Sequence, residues 1–194
     1  MPAFDSDSQA GWIAQFARAV DQIDQADAPY ALLDAISGIL PFQMAMSVVY
    51  RRNAGPTYVC DTFRGENAKR ALGRYITGTY VLNPVYNAYL KGLKTGVYRM
   101  KDLAPDAYFS SEHYQNFEIH RQEDEEIGYR THGWPKGMEE LIVAIEMPDN
   151  ELAEISLSRL SSEGGFSSDC IVRLNAFMPL IGAVFRQYWR RARA

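Results

Sequence analysis

Apolar residues recur along this chain first with a period near 3.6, then near 2, then near 3.6 again. From about Gly11 to Gln25, Trp12, Ile13, Phe16, Val20 and Ile23 fall at helical spacing and give one apolar face. A second helix is predicted from Asp27-Ala28-Pro29, where a capping-type acid precedes a proline suited to a first turn. It carries Leu32, Leu33, Ile36, Ile39 and Leu40, and Pro41 closes it. The period then switches: Met44, Met46, Val48 and Tyr50 alternate through Gln43 to Arg51. Asn53-Ala54-Gly55-Pro56 supplies turn residues, and Thr57 to Phe63 resumes with β-branched and aromatic residues, so a β-hairpin is predicted.

Gly65 to Leu90 reads as helical, broken at Asn83-Pro84 because proline disfavours the α conformation in the residue before it. Val97 to Met100 reads as a short extended piece, Lys101 to Ala107 as loop, and Ser110 or Ser111 to about Gln122 as a short helix with Glu112 near its positive end. Ile127 to Trp134, Leu141 to Met147 and Ala153 to Leu160 are strand candidates, the last two joined by the tight-turn residues Pro148-Asp149-Asn150-Glu151. Along the last strand Ala153, Ile155 and Leu157 alternate with Glu154, Ser156 and Ser158, which predicts one buried face and one wet face. Ser167 then offers an N-cap to a long closing helix reaching about Arg190, with Ile171, Leu174, Phe177, Met178, Ile181, Val184, Phe185 and Tyr188 on a wide apolar surface. The sum is one α+β domain over residues 1–194, an antiparallel sheet of about five strands flanked by helices.

Composition narrows the function classes. The 194 residues carry 20 Lys plus Arg against 24 Asp plus Glu, a net charge of -4, without the positive field a free-standing nucleic-acid binder needs. No run approaches the roughly 18 consecutive apolar residues of a membrane span. The polar, acidic start Met1 to Ala10 lacks the order of a secretory signal, so the reading is cytoplasmic. Cys60 and Cys170 each sit in an apolar segment and are expected to be buried and free.

Catalytic and metal chemistry find little support. A phosphate loop ending in Lys and Ser or Thr, a nucleophile elbow, a His-Glu-x-x-His pair and paired cysteines are all missing. His113 and His120 lie seven apart in the expected helix, about 10 Å along its axis, too far to share a metal; His132 approaches either only through tertiary contact. No catalytic residue, metal or cofactor is assigned. The acidic block Glu123-Asp124-Glu125-Glu126 and the basic one at Arg186, Arg190, Arg191 and Arg193 are explained as a charged loop and a cation-complemented helix end. The aromatic residues say more: Tyr75, Tyr80, Tyr86 and Tyr89 in the helical insert, with Tyr58, Phe63, Tyr129 and Trp134 on candidate strands, supply rings with polar tips. Such rings fill a core, and they also suit a small-molecule pocket.

Asn83-Pro84-Val85-Tyr86, the run from Gly96 to Pro105 (GVYRMKDLAP), Ser111-Glu112-His113-Tyr114 and Asp124-Glu125-Glu126-Ile127-Gly128 stand in an order seen in one group of bacterial proteins. Ile155-Ser156-Leu157-Ser158-Arg159, Phe166-Ser167 and Tyr188-Trp189-Arg190 continue it. In these motifs the chain resembles the N-terminal sensor region of LuxR-type helix-turn-helix transcription regulators, a region similar to GAF and PAS-like folds. The resemblance implies a non-catalytic sensory domain that dimerises through its closing or first helix and binds a small molecule between sheet and insert. Tyr58, Tyr75, Tyr80, Asn83, Tyr86 and Trp134 are the expected lining. It also implies a C-terminal DNA-binding domain of roughly 60 residues, while only five residues follow Trp189. The expectation is therefore an excised sensor or a naturally short relative, reaching DNA only through a separate or missing helix-turn-helix domain. The alternative is a stand-alone interaction domain that pairs with full-length regulators and has no ligand of its own. The acyl-homoserine-lactone receptors of the family place an Asp-Pro against the ligand amide, with a Trp and a Tyr upstream. Here the dipeptide is Asn83-Pro84, and Arg70 and Arg74 occupy the neighbourhood of the Trp. The ionised acceptor is lost, which argues against a lactone.

Overall fold

The computed structural model describes residues 6–104, 119–121, 129–131 and 137–193. The chain divides into two compact units, Met1–Phe42 with Val172–Ala194, and Gln43–Ile171.

In the first unit α1 (Ser6–Asp21) packs on α2 (Ala28–Ile39). Asp27 stands at the N-terminus of α2 as its residue type suggests, but its side chain makes no capping hydrogen bond; Pro29 occupies the first turn instead. The closing helix, α6 (Ser168–Ala192), belongs to this unit from Val172 onward. Its Phe177 ring meets Trp12 edge-on at 4.7 Å and Phe16 in a stacked arrangement at 6.2 Å. By length and average apolarity α6 could cross a bilayer. Its buried residues Leu174, Met178, Ile181, Phe185 and Trp189 nevertheless recur at helical spacing with exposed positions between them. That is the stripe of a core helix and not a convincing span.

The second unit is built on β1 (Met44–Arg51), β2 (Ala54–Asp61), β3 (Gly96–Arg99), β6 (Met138–Glu146) and β7 (Leu152–Leu160), which form one antiparallel sheet in the order β2-β1-β7-β6-β3. The α+β class and the five strands agree with the sequence pattern. The first hairpin turns earlier than its turn residues suggest: Arg51 pairs with Ala54, and Asn53 takes the left-handed conformation at φ 63°. Gly55 and Pro56 therefore sit inside β2, tolerated because it is an edge strand. Between β6 and β7, Asp149 and Asn150 both take positive φ, as the tight turn requires.

A helical insert follows β2: α3 (Glu66–Thr77), a 3-10 turn (Thr79–Leu82) and α4 (Pro84–Leu90). The break falls at Asn83-Pro84 as expected. Asn83 caps α4, its Oδ1 accepting from the Val85 N–H at 2.7 Å. After β3 comes one helical turn, α5 (Met100–Leu103), where loop was expected. The helix expected up to Gln122 is contradicted at its end, because β4 (Ile119–Arg121) is extended and pairs with β5 (Tyr129–Thr131). A strand there can use the ladder bonds of its partner, which sequence spacing does not reveal. His120 thus lies on a strand, while His113, His132 and Trp134 lie outside the described residues. Cys60 is buried and free as expected; Cys170 is free but half-buried.

The expectation for β7 needs correction. Glu154, Ser156 and Ser158 are as deeply buried as Ala153, Ile155 and Leu157, so the strand has no wet face. β7 is the central strand of five, and its polar face is the one that looks toward the insert.

Candidate functional site

Pairing defines that face. Met46 lies opposite Ser156, Val48 opposite Glu154 and Tyr50 opposite Leu152, while Glu140 lies opposite Ser158 and Ile142 opposite Ser156. These residues share one side of the sheet because cross-strand partners point the same way. Over them sit Ala68 and Leu72 of α3 and Val85 and Tyr89 of α4, forming a continuous apolar core with Met46, Val48, Tyr50, Ile142, Ala144 and Leu152.

Set into this core is a polar chain. The Asn83 Nδ2 donates to the Tyr75 hydroxyl at 2.8 Å, the Tyr75 and Tyr50 hydroxyls are hydrogen-bonded, and the Tyr50 O–H donates to Glu154 Oε2. With Asn83 donating at one end and the acid accepting at the other, both hydroxyls point the same way along the chain and polarise each other. The second oxygen of Glu154, Oε1, is buried without a hydrogen-bond partner. The residue itself is 0% exposed.

Burial pushes the Glu154 carboxyl up to about 8; the hydrogen bond from Tyr50 opposes that rise and the nearby Glu140 charge adds to it. Burial likewise pushes Glu140 up to about 7, against hydrogen bonds from Ser158 and Ser156. The Ser158 Oγ donates to Glu140 Oε1 at 3.2 Å. Burial, and then the charge of Glu154, raises both the Tyr50 and Tyr75 phenols well above their ordinary value.

Tyrosine rings border the chain. Tyr50 lies 5.3 Å from Tyr86 and 6.0 Å from Tyr89, and Tyr80 meets Tyr86 edge-on at 5.0 Å. Of the residues expected to line a pocket, Tyr75 and Asn83 therefore belong to the polar chain, and Tyr80 and Tyr86 to the rings beside it. Tyr58 stands apart on the edge strand, 43% exposed. Its hydroxyl donates to Asp61 at 2.7 Å, and Lys69 binds the same carboxylate at 2.8 Å.

Sequence reading missed Tyr50, Glu140 and Glu154. The available signal was the polar alternation of β7, three successive polar positions on one face of a strand that pairs on both edges. A cleft of about 360 Å³ also opens beside Arg52, Tyr89, Leu93, Lys94 and Asn150. Its polar groups already serve the protein: Lys94 binds Glu146 at 2.9 Å and the Tyr89 hydroxyl donates to the Asn150 carbonyl. Among the described residues no cluster of three His, Cys, Asp or Glu side chains could hold a metal.

Asn83 combines two roles, so Asn83→Ala is expected to lower stability by about 1–2 kcal/mol through loss of the cap. Urea denaturation checks this, and an unchanged midpoint would contradict the capping role.

The fold is thus an antiparallel five-stranded sheet with a helical insert packed on one face. Two solved structures share it. The LBD domain of VqsR from Pseudomonas aeruginosa superposes with a TM-score of 0.69 at 15% identity, covering 93% of this chain and 96% of that one. The N-acylhomoserine-lactone-dependent LuxR-family transcription factor CepR2 from Burkholderia cenocepacia gives 0.60 at 14% identity, covering 95% and 99%. No family model matches the sequence, and no curated protein does either.

Proposed function

We propose that this chain is the non-catalytic sensory domain of a LuxR-like transcription regulator, cytoplasmic, which binds a small molecule between sheet and insert. The observation that carries the reading is the polar chain Asn83–Tyr75–Tyr50–Glu154, built into an otherwise apolar core with one buried oxygen unpartnered. A core that only needed filling would not retain such a group, because an unpartnered buried polar atom costs about 1–3 kcal/mol. A ligand that offers the missing partner recovers that cost and favours the conformation in which the insert is closed. It can shift the equilibrium only by its differential affinity for the two states. The fold shared with the VqsR LBD domain and with CepR2, a LuxR-family transcription factor, supports the same reading.

Native mass spectrometry of the protein purified from its host tests the proposal. A retained molecule of a few hundred daltons, released on denaturation, is expected. Apo protein from every growth condition would count against it.

Dimerisation is part of the proposal. Ile13 and Val20 on α1 and Val172 and Leu180 on α6 are large apolar side chains left exposed at near-helical intervals, and a second copy of the chain would cover them. Sedimentation is expected to give a dimer, with Leu180→Glu or Ile13→Glu shifting it to monomer. A wild-type monomer at high micromolar concentration would refute this.

A further inference from the structure

We propose that the cleft beside Arg52 is a second binding site, which takes the oxyanion of a small molecule, a carboxylate or a phosphate, on the Arg52 guanidinium. It goes beyond the sensory reading above, because neither Asn83 nor Glu154 lines this cleft.

Three connections meet there. The turn from β1 to β2 supplies Arg52, the segment after α4 supplies Leu93 and Lys94, and the turn from β6 to β7 supplies Glu151. The space of about 360 Å³ between them is of the size that small-molecule sites use.

Charge selects the ligand. Both carboxylates of the cleft already hold a cation: Glu146 accepts from Lys94 at 2.9 Å, and Glu151 accepts from Arg51 at 2.7 Å. The Thr95 N–H also donates to Glu146, at 3.1 Å. Arg52 differs. Among the described residues it has no carboxylate partner, and its Nη2 donates to the Leu90 carbonyl at 3.2 Å. Its charge reaches the cleft wall: burial raises the Tyr89 phenol, and Arg52 opposes that rise. With two acids matched by Lys94 and Arg51, the charge of Arg52 is left over for a ligand.

Donor geometry agrees. A guanidinium has five N–H donors, arranged so that two parallel pairs can each meet two oxygens of one oxyanion. The Leu90 carbonyl takes one N–H, so at least one pair stays whole. The same bond holds the guanidinium in place before a ligand arrives, which lowers the cost of ordering it. Complementing the carbonyl end of α4 thus uses only part of what Arg52 offers. The opposite wall is fixed too, since the Tyr89 hydroxyl donates to the Asn150 carbonyl at 2.7 Å and ties α4 to the β6–β7 turn. Arg52 and Lys94 are exposed, so binding should weaken as salt rises.

NMR titration of the full chain with succinate, inorganic phosphate and the neutral succinamide tests this. Saturable binding of at least one anion is expected, with succinamide about tenfold weaker or more. Tighter binding by succinate would mark the ligand as a carboxylate, and tighter binding by phosphate as a phosphate. Arg52→Gln should weaken the anions about tenfold or more, and Arg52→Lys, which keeps the charge but loses the paired donors, should fall between. Because Arg52 is exposed, neither variant should move Tm by more than about 2 °C. If the Gln variant fails to fold, succinate against succinamide on the wild-type chain decides.

No binding of either anion up to about 50 mM, succinamide binding as tightly as succinate, or an unchanged affinity in Arg52→Gln would overturn the proposal. Each of these outcomes leaves the site under the insert untouched.

Discussion

The protein should be markedly less stable at pH 8 than at pH 5.5. Burial raises Glu154 from the ordinary carboxyl value of 4.5 to about 8 in the folded chain, so between those values the folded state holds a proton that the unfolded state has released. Raising the pH through that window favours unfolding, and the stability present below pH 4.5 is lost progressively up to pH 8. One pKa unit corresponds to about 1.4 kcal/mol, so the 2.5 units between pH 5.5 and 8 amount to about 3 kcal/mol. Glu140, raised to about 7, adds in the same direction. Asp61 and Glu146 are lowered instead, so both stay ionised throughout this range and contribute no slope. Thermal denaturation at the two pH values should then differ by roughly 6–12 °C in Tm, at about 2–4 °C per kcal/mol for a chain of this size. Glu154→Gln has no proton to lose. It should remove most of the slope and be the more stable form at pH 8. Equal wild-type stability at both pH values, or an unchanged slope in the variant, would contradict the burial of this acid.

Tyr50 is expected to be the most sensitive single position in the site. Its hydroxyl donates to Glu154 and is also bonded to Tyr75, while its ring packs against those of Tyr86 and Tyr89. Tyr50→Phe removes the hydroxyl alone and leaves two buried polar groups short of a partner, at a cost of about 1–3 kcal/mol. It also deprives the ionised acid of a hydrogen bond, so the pH dependence should steepen. Tyr50→Ala removes the ring as well and should cost about 3–5 kcal/mol, as for other large aromatic truncations. Urea denaturation at pH 6 separates the two, the midpoint falling in the order wild type, Phe, Ala. A Phe variant as stable as wild type would mean that the polar chain contributes nothing to the fold.

Much of the framework was legible from local pattern. The period of 3.6 in the first two helices and the last one, the alternation in Met44 to Tyr50, and the proline at 84 that divides the insert all act over a few residues. A linear reading reaches them for that reason. The hairpin turn was displaced by about two residues, because an edge strand accepts Gly55 and Pro56, and edge position is a property of the whole sheet. The segment ending at Gln122 was read as helix, and Ile119–Arg121 instead pairs with Tyr129–Thr131. Strand preference of this kind depends on the partner more than on the segment itself.

The site divides along the same line. The grouping of Tyr75, Asn83, Tyr80 and Tyr86 was legible because aromatic and amide residues crowd a short helical stretch. Tyr50 and Glu154 were not, because they lie 104 residues apart and meet only across the β1–β7 ladder.

By itself the sequence determined most of the helices and the strands of the main sheet, the absence of a positive field, and the aromatic richness of the insert, since each is a sum over neighbours in the chain. It left β7 as a strand with a polar side facing water. Only the tertiary structure decided that this side faces inward, because β7 became the central strand and its polar face came to lie under the insert. That placement turned Glu154 from a surface carboxylate into a buried acid with an unfilled partner.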